Sequence, residues 1–256
     1  MLWKCKVIVP LLLLLLVCFI SSAVADEFLA VKLGYQLLSP SGSIAGSLNG
    51  IGQKADLEKD LNLDDSEDIT AEIAFNSGDF HLSFGYLPIE FSGTGTLSVP
   101  VVIGEQTFNI GTDVNSDLTI DLYDIGFTYY LINLDDLPTR FQLGLELAVK
   151  IADVEATLTE SLGVLTATES VTAPIPTIGA RARVALADFL GLVGRIGYLE
   201  YDSNHFVDAE AQLEFSPLPT VGIYAGYRYF DLKIDDSDLF IETDFSGPFG
   251  GAFVRF

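Results

Sequence analysis

The sequence predicts an all-β protein: a transmembrane antiparallel up-and-down β-barrel, of ten strands, with eight as the alternative count. Three observations carry this. In residues 140–152 every odd position (Phe141, Leu143, Leu145, Leu147, Val149, Ile151) is apolar, and every even position (Gln142, Gly144, Glu146, Ala148, Lys150, Ala152) is small, polar or charged. Successive strand side chains point to opposite faces, so this segment has one greasy wall and one wet or small-residue wall; a helix would smear Leu and Val around its circumference. The pattern recurs about ten times along the chain, with long and short connections alternating as surface loops and periplasmic turns do. Finally, although 49% of the residues are hydrophobic, no run after residue 25 approaches the roughly 20 apolar residues that a spanning helix needs, which leaves strands to cross a bilayer.

Residues 1–25 read as a cleaved secretory signal: Lys4 and Lys6, an apolar block over residues 7–20, and Ala23-Val24-Ala25 before Asp26. Val17 precedes Cys18 where a lipoprotein signal wants a small residue, so lipidation is not expected. Residues 26–256 are then the barrel. They contain no cysteine, which excludes disulfides and thiolate metal sites and leaves backbone pairing in a closed sheet to hold an exported chain. They carry 11 basic and 36 acidic residues, a formal −25. That balance rules against nucleic acid or an anionic surface as the main partner. It fits a chain whose apolar residues face lipid and whose acids sit in loops.

In order, the first strand is expected over residues 28–37, showing Leu29, Val31, Leu33, Tyr35 and Leu37 to one side and Lys32, Gly34 and Gln36 to the other. A long loop follows over 39–68, with a short helix in 54–63. The second strand, 69–75, and the third, 80–91, flank a tight Asn76-Ser77-Gly78-Asp79 turn. A second long connection, 92–117, has β-rich portions at 99–103 and 107–110 that would extend the barrel as a hairpin. In the fourth strand, 118–131, Leu118, Ile120 and Leu122 have one parity and Ile125, Phe127, Tyr129 and Leu131 the other. A β-bulge near Tyr123–Asp124 would reconcile them. After a turn at 133–139, the fifth strand runs on to about 158. The sixth is expected over 177–187, the seventh over 191–201 and the eighth over 206–215. Pro217-Leu218-Pro219 turns into the ninth, 221–234. An acidic loop at 235–238 precedes the last strand, which ends at Phe256. Tyr35, Tyr86, Tyr129, Tyr198 and Tyr229 lie near strand ends, where aromatic side chains anchor at membrane interfaces.

The final residues, Gly250-Gly251-Ala252-Phe253-Val254-Arg255-Phe256, resemble the terminal β-signal of outer-membrane proteins, with Gly250, Gly251, Ala252, Val254 and Phe256 carrying the likeness. The paired glycines resemble a family of about 250-residue Gram-negative outer-membrane barrels defined by such an ending and without an established function. The resemblance implies location in the bacterial outer membrane and recognition by the barrel-assembly machinery, and it implies nothing about activity.

The residues most able to carry a function are the inward charges. Arg183 and Arg195 are equidistant from Phe189 and should neighbour one another, with Glu146, Glu210 and Glu214 as counter-charges and Arg181, Arg228, Lys32, Lys150 and Glu72 extending the set. The arrangement reads first as a salt-bridged plug, since small barrels are filled by side chains, and second as a charged constriction selecting small solutes. No catalytic site is expected. His81 faces inward near the periplasmic end; His205 is expected in a loop beside Asp202, Ser203 and Asn204. Ten-stranded omptin proteases use Asp and His at the extracellular rim, but nothing else here resembles their motifs. Asp60, Asn62 and Asp64 alternate as in a calcium loop, yet Asp65 stands where Gly is needed and Ala71 where Glu is needed. No cofactor or specific metal site is therefore expected, only diffuse binding of divalent cations that bridge the acidic loops to lipopolysaccharide phosphates.

Overall fold

The computed structural model describes residues 28–46, 54–103, 106–134, 140–163, 165–202, 204–235 and 239–256. The expected signal segment lies outside them, as do residues 236–238 of the acidic loop expected at 235–238, whose first residue, Asp235, ends a strand. Thirteen strands occur among the described residues: β1 (Leu29–Gly46), β2 (Ala55–Asp56), β3 (Ser66–Ser77), β4 (Phe80–Thr96), β5 (Val101–Ile103), β6 (Gln106–Phe108), β7 (Asp113–Asn133), β8 (Phe141–Glu160), β9 (Thr166–Ala187), β10 (Leu190–Tyr201), β11 (Asn204–Leu218), β12 (Val221–Asp235) and β13 (Leu239–Arg255). Ten of these pair antiparallel in chain order, omitting β2, β5 and β6, and β13 pairs with β1 to close the sheet. Closure leaves no sheet edge within the bilayer, where an unpaired backbone group costs several kcal/mol.

The expected alternation holds through the membrane. Leu33, Tyr35, Phe84, Leu145, Leu147, Ile178, Ile196 and Ile223 are exposed on the outer wall. Lys32, Gln36, Glu146, Lys150, Arg195 and Glu210 are buried inside. The periplasmic turns are tight: Gly78, at φ 57°, opens the two-residue link between β3 and β4. The outward tyrosines at the far end donate to carboxylates on the same wall, Tyr35 to Glu67, Tyr86 to Asp121 and Tyr198 to Glu200, each at 2.6 Å, and Tyr229 to Asp244 at 2.8 Å. This collar marks where the outer wall passes from lipid to water.

Above that level the two faces of the sheet exchange character. The expected bulge at Tyr123–Asp124 is absent: β7 keeps one register against β4 throughout, and its register against β8 shifts only between Tyr130 and Ile132. Leu118, Ile120 and Leu122 therefore point inward. They pack with Leu38, Leu87, Ile89, Phe91, Ala152, Phe206, Phe230 and Phe245 into an apolar layer within the barrel. Asp117, Thr119 and Asp121, at the intervening positions, take the outer wall. A strand that has left the membrane meets water outside and protein inside, so its apolar parity inverts with no backbone irregularity.

A second apolar layer lies beyond the first. Ala55, Leu57, Leu61, Leu97, Val101, Phe108, Val114, Leu158 and Ala167 cluster there, drawn from the two long loops and the tops of β7, β8 and β9. The short helix expected at 54–63 is instead the β2 bridge to β1 followed by a turn. Asp56 nucleates that turn, accepting from the backbone N–H of Glu58 and Lys59, while Lys59 Nζ donates to it at 2.9 Å. The Lys59 hydrogen bond holds the Asp56 carboxyl below its ordinary range. Asp60 ties the turn across, accepting from Asp56 N at 2.8 Å and Ser98 N at 3.3 Å. The β-rich portions of the second loop form β5 and β6, a separate two-stranded sheet; the barrel wall is extended by β4 and β7 themselves, which pair as far as Thr96 and Asp113.

Candidate functional site

At the level of the membrane the lumen gathers charge. Lys32, Lys150, Arg181, Arg183, Arg195, Arg228 and Arg255 point inward, against Glu72, Asp124, Glu146, Asp208, Glu210 and Glu214. Seven of the eleven basic residues after residue 25 thus lie within the barrel, nearly balanced by six acids. The large negative charge of the chain accordingly belongs to its exterior.

The centre is a four-residue knot. Asp124 Oδ2 accepts from Lys150 Nζ at 2.5 Å and Arg195 Nη2 at 2.6 Å. Asp208 Oδ2 accepts from Arg195 Nη2 at 2.5 Å and Lys150 Nζ at 2.6 Å. Two cations and two anions cancel. Glu146 flanks the knot, 3.5 Å from Arg195 Nε, and accepts from the Thr128 hydroxyl at 3.0 Å. To one side Arg228 donates to Glu210 and, at 3.3 Å, to Gln36 Oε1, with its guanidinium 4.9 Å from the Phe249 ring. The cavity beside the knot is ≈ 30 Å³, about enough for one water.

Towards the periplasm the pairing thins. Glu214 is shared by three cations, Arg255 at 2.5 Å and Lys32 and Arg183 at 3.6 Å each. Lys32 also reaches Glu72 at 3.3 Å. Arg181 meets Glu146 only at 4.0 Å.

The expected neighbours are not the observed ones. Arg195 stands opposite Arg181, whereas Arg183 pairs with Val193. The symmetry about Phe189 fails because the hairpin has a two-residue turn and a further register shift between Leu190 and Gly191. Asp124, Asp208, Arg255 and Tyr224 belong to the assembly as well. Strand parity was enough to place Asp208 inside. Asp124 was hidden by the parity change in β7, and Arg255 by its position inside the terminal signal.

That terminal strand has its own logic. Gly251 faces inward and pairs with Gly34 on β1, and a Cβ at Gly251 would lie 2.1 Å from the Leu33 carbonyl oxygen. The bare backbone makes room for the buried Tyr224 ring, whose hydroxyl would lie 2.3 Å from a Cβ at Gly34. Tyr224 packs with Phe249 and Phe253 at 6.1 and 6.5 Å. Gly250, Ala252 and Val254 alternate with these on the outer wall.

The two histidines lie at opposite ends of the barrel and on opposite faces of the sheet. His81 is buried at the periplasmic end, its Nδ1 2.7 Å from Asn76 Oδ1. His205 lies within β11 and not in a loop; its Nε2 is 3.1 Å from Asp231 Oδ1 on the neighbouring strand, on the outer wall.

No protein-family model and no curated protein matches the sequence. Solved structures do match in shape. The outer membrane protease OmpT from Escherichia coli superposes with a TM-score of 0.58 at 10% identity, covering 93% of this chain and 99% of that one. Ail, the attachment invasion locus protein of Yersinia pestis, is similar at a TM-score of 0.38 and 10% identity, over 88% of this chain and 99% of that one. The translocator domain of the autotransporter NalP from Neisseria meningitidis gives 0.43 and 12%, over 91% and 89%. Closed ten-stranded topology, apolar outer band and the first of these likenesses define the class: a bacterial outer-membrane β-barrel.

Proposed function

We propose that this chain is a sealed outer-membrane barrel with a structural or surface-interaction role, and that it is neither a solute channel nor a surface hydrolase. The observation carrying this reading is the pair of apolar layers that fill the extracellular half of the lumen. An ion crossing them would shed most of its hydration against Phe91, Phe206, Phe230 and Phe245. Beneath them the four charges of the knot neutralise one another at hydrogen-bonding distance, which is how a plug satisfies a polar interior. The exterior supplies the interactive surface: acidic strand ends and loops beside the tyrosine collar, suited to diffuse magnesium or calcium and, through them, to lipopolysaccharide phosphates. Against a hydrolase stands the outward setting of His205. The test is single-channel conductance of refolded residues 26–256 in a planar bilayer, repeated with Arg183→Ala. Both proteins, shown folded by heat-shifted gel mobility, should be silent. Discrete steps whose size changes with Arg183→Ala would establish the channel instead.

A further inference from the structure

The periplasmic end of the lumen is hollow. A cavity of ≈ 690 Å³ opens between the turns at Gly78–Asp79 and Asp188–Phe189 and ends below the charged knot. Its walls are small where a barrel of this width needs bulk to fill it: Ala30, Ala74, Ala185, Ala187 and Gly191. A plug serving packing alone would place larger side chains there.

Its depth is cationic. Lys32, Arg181, Arg183 and Arg255 line it against only Glu72 and Glu214; the exposed mouth adds Arg140, Asp79 and Asp188. Glu214 is shared by three of those cations. Two further side chains on its lining are more than nine-tenths buried, and each holds one polar atom without a hydrogen bond, as Glu72 Oε1 on the same wall also does. Arg181, 4% exposed, has no hydrogen-bond partner at Nη1, and His81, 5% exposed, has none at Nε2. A buried polar atom left unpaired costs about 1–3 kcal/mol, more when charged. That cost is recovered when a ligand supplies the missing partner.

We propose that this vestibule is a binding site for a small solute bearing an oxyanion, a carboxylate or a phosphate, entering from the periplasm. Arg181 and Arg183 receive the anionic group, since a guanidinium matches either oxyanion with paired N–H donors. His81 Nε2 takes a second polar group of the same molecule; Nδ1 is occupied by Asn76, so Nε2 of the neutral ring accepts a hydroxyl or N–H. The volume lies within the roughly 300–1,000 Å³ of small-molecule sites. The inference goes beyond the sealed-barrel reading and does not depend on it, because a blind pocket needs only one mouth.

The absence of cysteine from residues 26–256 gives a direct test. Ala185→Cys places one thiol on the cavity wall. Its rate of modification in folded, refolded-from-denaturant protein is measured with an anionic and a cationic methanethiosulfonate of similar size, with Ser161→Cys on an extracellular turn as the reference. A focused positive field should favour the anionic reagent by about tenfold over the reference ratio, the lower end of electrostatic concentration in clefts. Millimolar citrate or pyrophosphate should slow the reaction, and Arg183→Gln should abolish both effects. Protection by citrate alone identifies a carboxylate site, by pyrophosphate alone a phosphate site, and by both a general oxyanion site. Absence of reagent preference, or protection by neither anion, overturns the proposal. Should Ala185→Cys fail to show heat-shifted mobility, Ala187→Cys on the same wall replaces it. Steady bilayer silence in these variants keeps the outcome separate from that of the conductance test.

Discussion

Asp124 and Asp208 each hold the same two cations, Lys150 and Arg195, in a setting where all four side chains are at most a few per cent exposed. Such knots are asymmetric in their energetics. Taking four charges out of water offsets much of what their mutual attraction returns, so the intact knot adds modest net stability, whereas removing one member leaves a buried charge uncompensated at a cost of about 3–5 kcal/mol. Asp124→Asn keeps the shape and deletes one charge, leaving Lys150 and Arg195 to share Asp208, with Glu146 3.5 Å from Arg195. It should lower barrel stability by that amount. Asp124→Leu combined with Lys150→Met removes a neutral pair and leaves Arg195 bonded to Asp208, so it should be far less damaging than either single change would imply. Urea unfolding in lipid vesicles checks both. It must be followed by far-ultraviolet circular dichroism, because Trp3, the sole tryptophan, lies in the expected signal. Equal losses for the single and double variants would show that shape, not charge balance, holds the lumen.

Strands are the scale at which the sequence is most readable and also where it misleads. All ten barrel strands, the hairpin at Gly78 and the inward parity of Arg181, Arg195, Glu210 and Glu214 follow from period-two alternation, which the bilayer enforces strictly. What alternation cannot express is a change of surroundings along one strand. Leu118, Ile120 and Leu122 look like a slipped register only if the apolar face is assumed to be the outer one throughout. Beyond the tyrosine collar the outer face meets water, so the same residues turn inward without a bulge. Likewise, residues 166–176 of β9 alternate too weakly to mark a strand by themselves; they are held by pairing with β8. The closing strand supplies a prediction at this scale. Gly251→Val would drive a Cβ against the Leu33 carbonyl at the β1–β13 seam, where backbone cannot yield without losing ladder hydrogen bonds. Overpacking of this kind costs about 1–3 kcal/mol or more. The folded fraction on a heat-shifted gel should fall markedly, while Gly194→Ala, with no atom nearer than 3.9 Å to its new methyl, should leave it unchanged.

For the molecule as a whole, the barrel is stacked in strata: an open cationic vestibule, a neutral ionic knot, an apolar layer within the wall and an apolar cap above it. The two apolar strata share strands β7 and β8 but differ in what the long loops add. The cap draws on Val101 and Phe108 of the β5–β6 hairpin, while the layer beneath draws on the barrel strands, with Phe91 and Phe245 stacked at 5.2 Å across its centre. Seals in series fail only together. Replacing residues 98–111 by a short turn should therefore open the cap by removing Val101 and Phe108 and still leave the bilayer silent, since every member of the inner layer remains. Phe91→Ala with Phe245→Ala should by itself weaken folding, at about 3–5 kcal/mol per buried phenylalanine at most, yet remain silent beneath the intact cap. Only the combination should leak, and because the path would then run through the charged knot and the vestibule, its current should be sensitive to Arg183→Gln. A leak from either change alone would reduce the barrier to a single stratum and place it where that change was made.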